Sequence, residues 1–168
     1  MPKNIETLLR QVAEDTFATM AFFLPAEGPG SNPDPSGPSR VALVDFTGPF
    51  AGRLSLTVPD AMAALLAANM LGLDGGQPTP LQERDALAEL ANVICGNLLP
   101  ILATPQDVFN VGHPCVTPPD PQPAGPRTPP DSGVTLSFDE GTVRLTLHVS
   151  GLPAAPQAGT LVEAGGRP

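Results

Sequence analysis

The chain has 168 residues, the size of one ordinary domain and long enough to bury a single core. Its 23 Pro and 17 Gly, set against seven Phe and no Trp or Tyr, require either partial disorder or a small core interrupted by Pro-rich loops. Eight Lys plus Arg against 17 Asp plus Glu leave a formal charge of −9 with no basic cluster, which argues against nucleic acid as a partner.

The first residues, MPKNIETLLRQVAEDTF, mix acids into a helical pattern and do not read as a signal peptide. Ile5, Leu8, Leu9, Val12, Thr16, Phe17, Met20 and Leu24 recur at three-and-four spacing, so the sequence predicts a helix with one apolar face, stopped by Pro25. A Pro-rich block, 25–39, follows. Arg40 to Thr47 and Arg53 to Val58 then read as two strands joined by a Gly-Pro turn, with Ala42, Val44, Phe46 and Leu54, Leu56, Val58 facing the core. Asp60 is expected to cap a short Ala-rich helix with Met62, Leu65, Leu66 and Met70 on one stripe and Gly72 past its end. The longest apolar stretch, Ala61 to Met70, falls short of the ~20 residues that cross a membrane.

The third helix has the clearest start signal: Thr79 as N-cap, Pro80 at the first helical position and Gln82 completing a capping box. It is expected to run to about Leu99, with a kink or stop at Pro100, whose ring clashes with the Gly96 carbonyl. A strand near Val108 to Val116 follows, then a second Pro-rich block, 118–132, and a hairpin. In the hairpin Val134, Leu136, Phe138 and Val143, Leu145, Leu147, Val149 alternate with polar residues, and Thr135, Ser137, Arg144, Thr146 and His148 face outward. Residues 151–168 are low in complexity and expected to form a flexible tail. The pattern predicts one α+β domain over 1–150, with helices packed on a largely antiparallel sheet in the order α-β-β-α-α-β-β-β. Cys95 and Cys115 are too few for a disulfide framework and are read as small buried hydrophobes of a cytoplasmic protein.

One helix is not built like scaffold. At about 100° per residue, Leu87, Leu90, Ala91, Ile94, Leu98 and Ile101 gather on one side of the third helix. With Glu89 set at zero, Asp85 lies at about 320°, Asn92 at about 300° and Gly96 at about 340°, a stripe opposite the apolar side. Asp, Asn and Gly are all poorer helix formers than Ala, Gly by ~1 kcal/mol, so the stripe costs local stability. Its chemistry suits binding and orientation: a non-ionising amide, a carboxylate one turn earlier, and a glycine that removes bulk. No Ser, Cys and His spacing marks a nucleophile. His113 and Cys115 could begin a metal site, but only Cys95 and His148 could complete it, so no metal is assigned.

The segment Asp85-Ala-Leu-Ala-Glu89-Leu-Ala-Asn92-Val-Ile-Cys-Gly96-Asn97, with Pro114 separated from Asn92 by 21 intervening residues, resembles the signature of the CheC, CheX and FliY phosphatases. These act on the phosphorylated response regulator CheY in bacterial chemotaxis. The resemblance spans Asn4 to about Val149. The first helix has Glu14 with Phe17 where a second motif would need Asn, so the chain is most similar to the single-site CheX type. The resemblance implies a homodimer formed through the sheets and a phosphorylated CheY-type receiver domain as partner and substrate. It implies that Asn92 orients a water for in-line attack, that Glu89 pairs with a lysine of the receiver, and that Asp85, Gly96 and Pro114 support them. It implies no cofactor on this chain, Mg²⁺ being supplied by the receiver. The alternative is a non-catalytic module of the same fold that docks a regulator or joins a flagellar or signalling assembly. An unrelated α+β domain with a coincidental motif is the third reading. An intact Asn92 favours the enzyme.

Overall fold

The structure is a computed structural model and describes residues 4–26, 35, 37–121 and 130–151. The expected tail, from residue 152 onward, and most of both Pro-rich blocks lie outside the described residues.

Helix α1 (Ile5–Thr16) starts at Asn4, whose Oδ1 accepts the Thr7 N–H at 3.2 Å. It buries Leu9, Val12 and Ala13, then widens into a π-helical turn, Phe17–Ala21. The stop comes at Phe22, in the left-handed region (φ 59°), and not at Pro25. There the Asn69 side chain donates to the Ala21 carbonyl at 2.8 Å, supplying the donor that a further helical turn would have given. The change of direction leaves Leu24 in solvent and lays Pro25 and Ala26 on a sheet edge, where the Ala26 N–H donates to the Ser137 carbonyl.

Strands β1 (Ser39–Thr47) and β2 (Ala51–Pro59) pair antiparallel, and Ala42, Val44, Phe46, Leu54, Leu56 and Val58 are buried as their alternation predicts. Gly52 is required here: a Cβ would lie 2.5 Å from the Phe46 ring and closer still to the His148 carbonyl. Helix α2 (Asp60–Leu71) buries Met62, Ala63, Leu66 and Ala67, whereas Leu65 is 45% exposed, a departure from the expected stripe. The helix is apolar almost all round, so periodicity does not locate its buried face. Asp60 is its first residue and not its cap. Gly72 ends it in the left-handed conformation.

Helix α3 (Pro80–Leu102) has the expected capping box, with Thr79 and Gln82 exchanging hydrogen bonds. It continues through Pro100 instead of ending at Leu99. Leu98, Leu99 and Leu102 hold the last turn to the core while the proline ring sits on the exposed side. Ile101, expected on the buried side, is 47% exposed. By length and apolar content α3 could span a membrane, yet half of the relevant window is buried here, and it packs as a core helix on the sheet.

The single strand expected over 108–116 is two short strands, β3 (Asn110–Val111) and β4 (Cys115–Val116), both paired with β1. Pro114, which has no N–H, interrupts the ladder between them. The hairpin forms as expected from β5 (Ser132–Phe138) and β6 (Gly141–Ser150). The sheet runs β3–β1–β2–β6–β5 with β4 also on β1, every pair antiparallel, and the helices cover one face. The fold is therefore α+β, in the expected order with one additional strand. On the outer face Thr135, Ser137, Arg144 and His148 are partly exposed and Thr146 is buried. Asp45 and Arg53 also pair there at 2.5 and 2.9 Å, which lowers the carboxyl pKa. Cys95 is buried, and burial pushes its thiol up to about 12. Cys115 is exposed, contrary to the expectation of burial, because an edge strand of two residues has no layer above it.

Candidate functional site

Helix α3 is held at both ends and along one side, and each restraint aims its opposite face. The capping box ties down its first turn. Arg40, at the start of β1, donates through Nε to Asp60 at 2.7 Å and through Nη2 to Glu83 at 2.9 Å, linking the sheet to the first turns of α2 and α3. Both acids sit at helix N-termini, where the helix dipole favours negative charge. Ala86, Leu87, Leu90, Ala91, Ile94, Cys95, Leu98 and Leu99 are buried along the helix. This packing leaves the stripe of Asp85, Glu89, Asn92 and Gly96 facing outward.

Asp85 and Glu89 are exposed and Asn92 is half-buried. Among the described residues neither the Glu89 carboxylate nor the Asn92 carboxamide has a hydrogen bond or ion pair within the chain. Both are available to a partner. Asp85 faces Arg84 at 3.4 Å, an exposed contact worth well under 1 kcal/mol. The structure gives it this neighbour and no contact with Glu89. Gly96 is exposed and a Cβ there would meet nothing within 4 Å, so no helix contact within the chain explains the glycine.

Pro114 is half-buried in the Gly112–Pro114 connection between β3 and β4, and both strands pack against α3. The Gly112 N–H donates to the Asp45 carbonyl at 2.7 Å and pins this connection to the sheet edge. Folding thus returns Pro114 alongside the helix that carries Glu89 and Asn92. Among the described residues no three His, Cys, Asp or Glu side chains lie close enough together to hold a metal ion. The Arg40, Asp60 and Glu83 cluster went unread in the sequence. Its only local signal is an arginine at a core-facing strand position.

The arrangement can do a limited set of things. A free carboxylate can pair with a cation, and a free carboxamide can both accept from a water and donate to an oxyanion, while neither is a strong nucleophile. Groups of this kind can bind and orient another molecule without reacting with it.

A family model described as "Chemotaxis phosphatase CheX" matches residues 40–119, a segment that contains Asp85, Glu89, Asn92, Gly96 and Pro114. Over that segment the chain is similar to the CheX family. Among solved structures, the chemotaxis protein CheX from Desulfovibrio desulfuricans is similar at 22% identity and TM-score 0.70, over 87% of this chain and 99% of that one. CheX from Vibrio vulnificus is similar at 18% identity and TM-score 0.67, over 88% and 97%. A chain of the CheX-CheY-BeF3-Mg²⁺ complex from Borrelia burgdorferi is similar at 14% identity and TM-score 0.62, over 86% and 96%. At these identities the likeness establishes the fold. No curated protein matches the chain in sequence.

Proposed function

We propose that this chain docks a phosphorylated CheY-type receiver domain on the outward face of α3 and accelerates hydrolysis of its aspartyl phosphate. The observation that carries the reading is the unpaired Glu89 and Asn92, one turn apart on a rigidly held helix, within the segment that matches the CheX family model. The Borrelia burgdorferi neighbour, solved with CheY, BeF3 and Mg²⁺, supports a receiver as partner and Mg²⁺ as the receiver's contribution.

Hydrolysis of an acyl phosphate needs little covalent help, because the carboxylate is a good leaving group and positioning dominates phosphoryl transfer. The Asn92 carboxamide accepts a hydrogen bond from the attacking water and holds it in line with the bond to be broken. Water oxygen bonds to phosphorus, the phosphorus–carboxylate bond breaks, and the water proton leaves with inorganic phosphate. Glu89 pairs with a lysine of the receiver and sets the docking register. Gly96 keeps the approach clear, Asp85 supports the start of the helix, and Pro114 shapes the connection beside it. The active site is thus completed between two proteins, in the cytoplasm, with no cofactor held by this chain. Two copies pairing through their sheets form the functional unit.

The test follows phosphate loss from a phosphorylated CheY-type receiver with and without the wild-type chain. Faster loss with the chain is expected. Equal rates alongside tight binding would identify a non-catalytic docking module instead.

A further inference from the structure

Pro100 is an unusual residue to keep inside a helix, and its position relative to Gly96 gives it a use. In an α-helix the carbonyl of residue 96 normally accepts the N–H of residue 100. Pro100 has no N–H, and its ring pushes against that carbonyl, yet α3 continues to Leu102. Gly96 and Pro100 are both exposed, at about 340° and about 20° on the scale that sets Glu89 at zero, so they extend the same outward stripe. A Cβ on Gly96 would meet nothing within 4 Å, and glycine has none to shield its own carbonyl. The Gly96 carbonyl therefore lacks its i+4 donor on the face that carries Glu89 and Asn92, about 6 Å along the axis from Asn92.

We propose that the Gly96–Pro100 pair is a recognition element: it presents a main-chain acceptor, the Gly96 carbonyl, to an N–H donor of the docked receiver. This rests on the receiver-docking function proposed above. Charge complementarity selects the donor. Along this stripe Glu89 offers only acceptor oxygens, Asp85 is an acid, and Asn92 is the one unpaired side chain that also donates. A partner surface that fits it is rich in N–H donors and cations. The helix gives up an internal bond at residue 100 and regains an acceptor in the interface, so any residue other than proline at 100 closes the site by satisfying the carbonyl internally.

The experiment measures affinity for a CheY-type receiver activated with BeF3 and Mg²⁺, thermal stability, and phosphate release, for wild type, Pro100→Ala, Pro100→Leu and Asn92→Ala. Pro100→Ala and Pro100→Leu restore the N–H, and the leucine also keeps apolar bulk. Both are expected to melt no lower than wild type, to bind the activated receiver about fivefold more weakly, and to keep kcat. A merely structural proline would change the melting temperature without changing affinity. Wild-type affinity in Pro100→Leu would overturn the acceptor role, since it would assign any alanine effect to the lost ring. If wild type neither binds the activated receiver nor speeds phosphate loss, the docking function falls and this inference with it. If wild type does both and Asn92→Ala loses only catalysis, an unchanged Pro100→Leu removes the inference alone.

Discussion

The Arg40 guanidinium donates to the Glu83 carboxylate at 2.9 Å, fastening the first strand to the first turn of the helix that carries Glu89 and Asn92. Arg40 and Glu83 have side-chain exposures of 11% and 15%, and Asp60 completes the cluster from α2. Asp60 is 38% exposed, so it is Arg40 and Glu83 that are partly desolvated, and removing the arginine strands the Glu83 carboxylate.

Arg40→Met is therefore expected to destabilise the fold by about 2 kcal/mol, chiefly because Glu83 loses its partner while partly desolvated. Urea denaturation reads this as a lower midpoint at an unchanged slope. A loss under 0.5 kcal/mol, roughly the scale of an exposed pair, would mean that water takes over the arginine's role.

The two site residues should separate kinetically. Asn92→Ala is expected to lower kcat for phosphate release by at least tenfold while binding to the activated receiver is retained, the pattern of an interaction made in the transition state. Glu89→Ala is expected to weaken binding, by about tenfold, through loss of the proposed ion pair with the receiver. Full activity in Asn92→Ala would dismiss the water-orienting role even if docking stands.

Gly96→Ala pits stability against function. The added methyl meets nothing within 4 Å and replaces the poorest non-proline helix former, so the variant should gain up to ~1 kcal/mol and melt higher. Activity should nevertheless fall, because the methyl projects from the proposed docking face. A variant that is both more stable and fully active would remove Gly96 from the site.

The thiols should behave oppositely. Cys115, exposed, is expected to react at once with an aromatic disulfide reagent in the native protein, and Cys95 only on unfolding. Burial raises the Cys95 pKa from its ordinary 9.0 to about 12, so the folded state holds this proton more tightly. Its contribution to stability is complete below pH 9 and is lost progressively as the pH rises towards 12. In Cys95→Ser, which lacks the buried thiol, that alkaline loss should shrink. Two equivalents of fast-reacting thiol in the native state would contradict the burial.

Local pattern was enough for much of the molecule. The alternation of Leu54, Leu56 and Val58, or of Val143, Leu145 and Leu147, depends only on a two-residue period, and each of these side chains is buried. The capping box of α3 lies within four consecutive residues, and the stripe of Asp85, Glu89, Asn92 and Gly96 follows from helical geometry. These features could be read without knowing what the helix packs against.

Other features depended on neighbours distant in the chain. Leu65, Ile101 and Cys115 are apolar or weakly polar residues whose exposure is set by whether another layer covers them, and composition carries no record of that layer. The π-helical end of α1 relies on Asn69, 48 residues away, and the separation of β3 from β4 relies on their register with β1. Arg40, Asp60 and Glu83 are meaningful only together, since a partly desolvated charge needs its partner and the three are brought together only by folding. The stripe was thus encoded locally, whereas its outward aim and its freedom from internal partners came from the packing of α3 on the sheet.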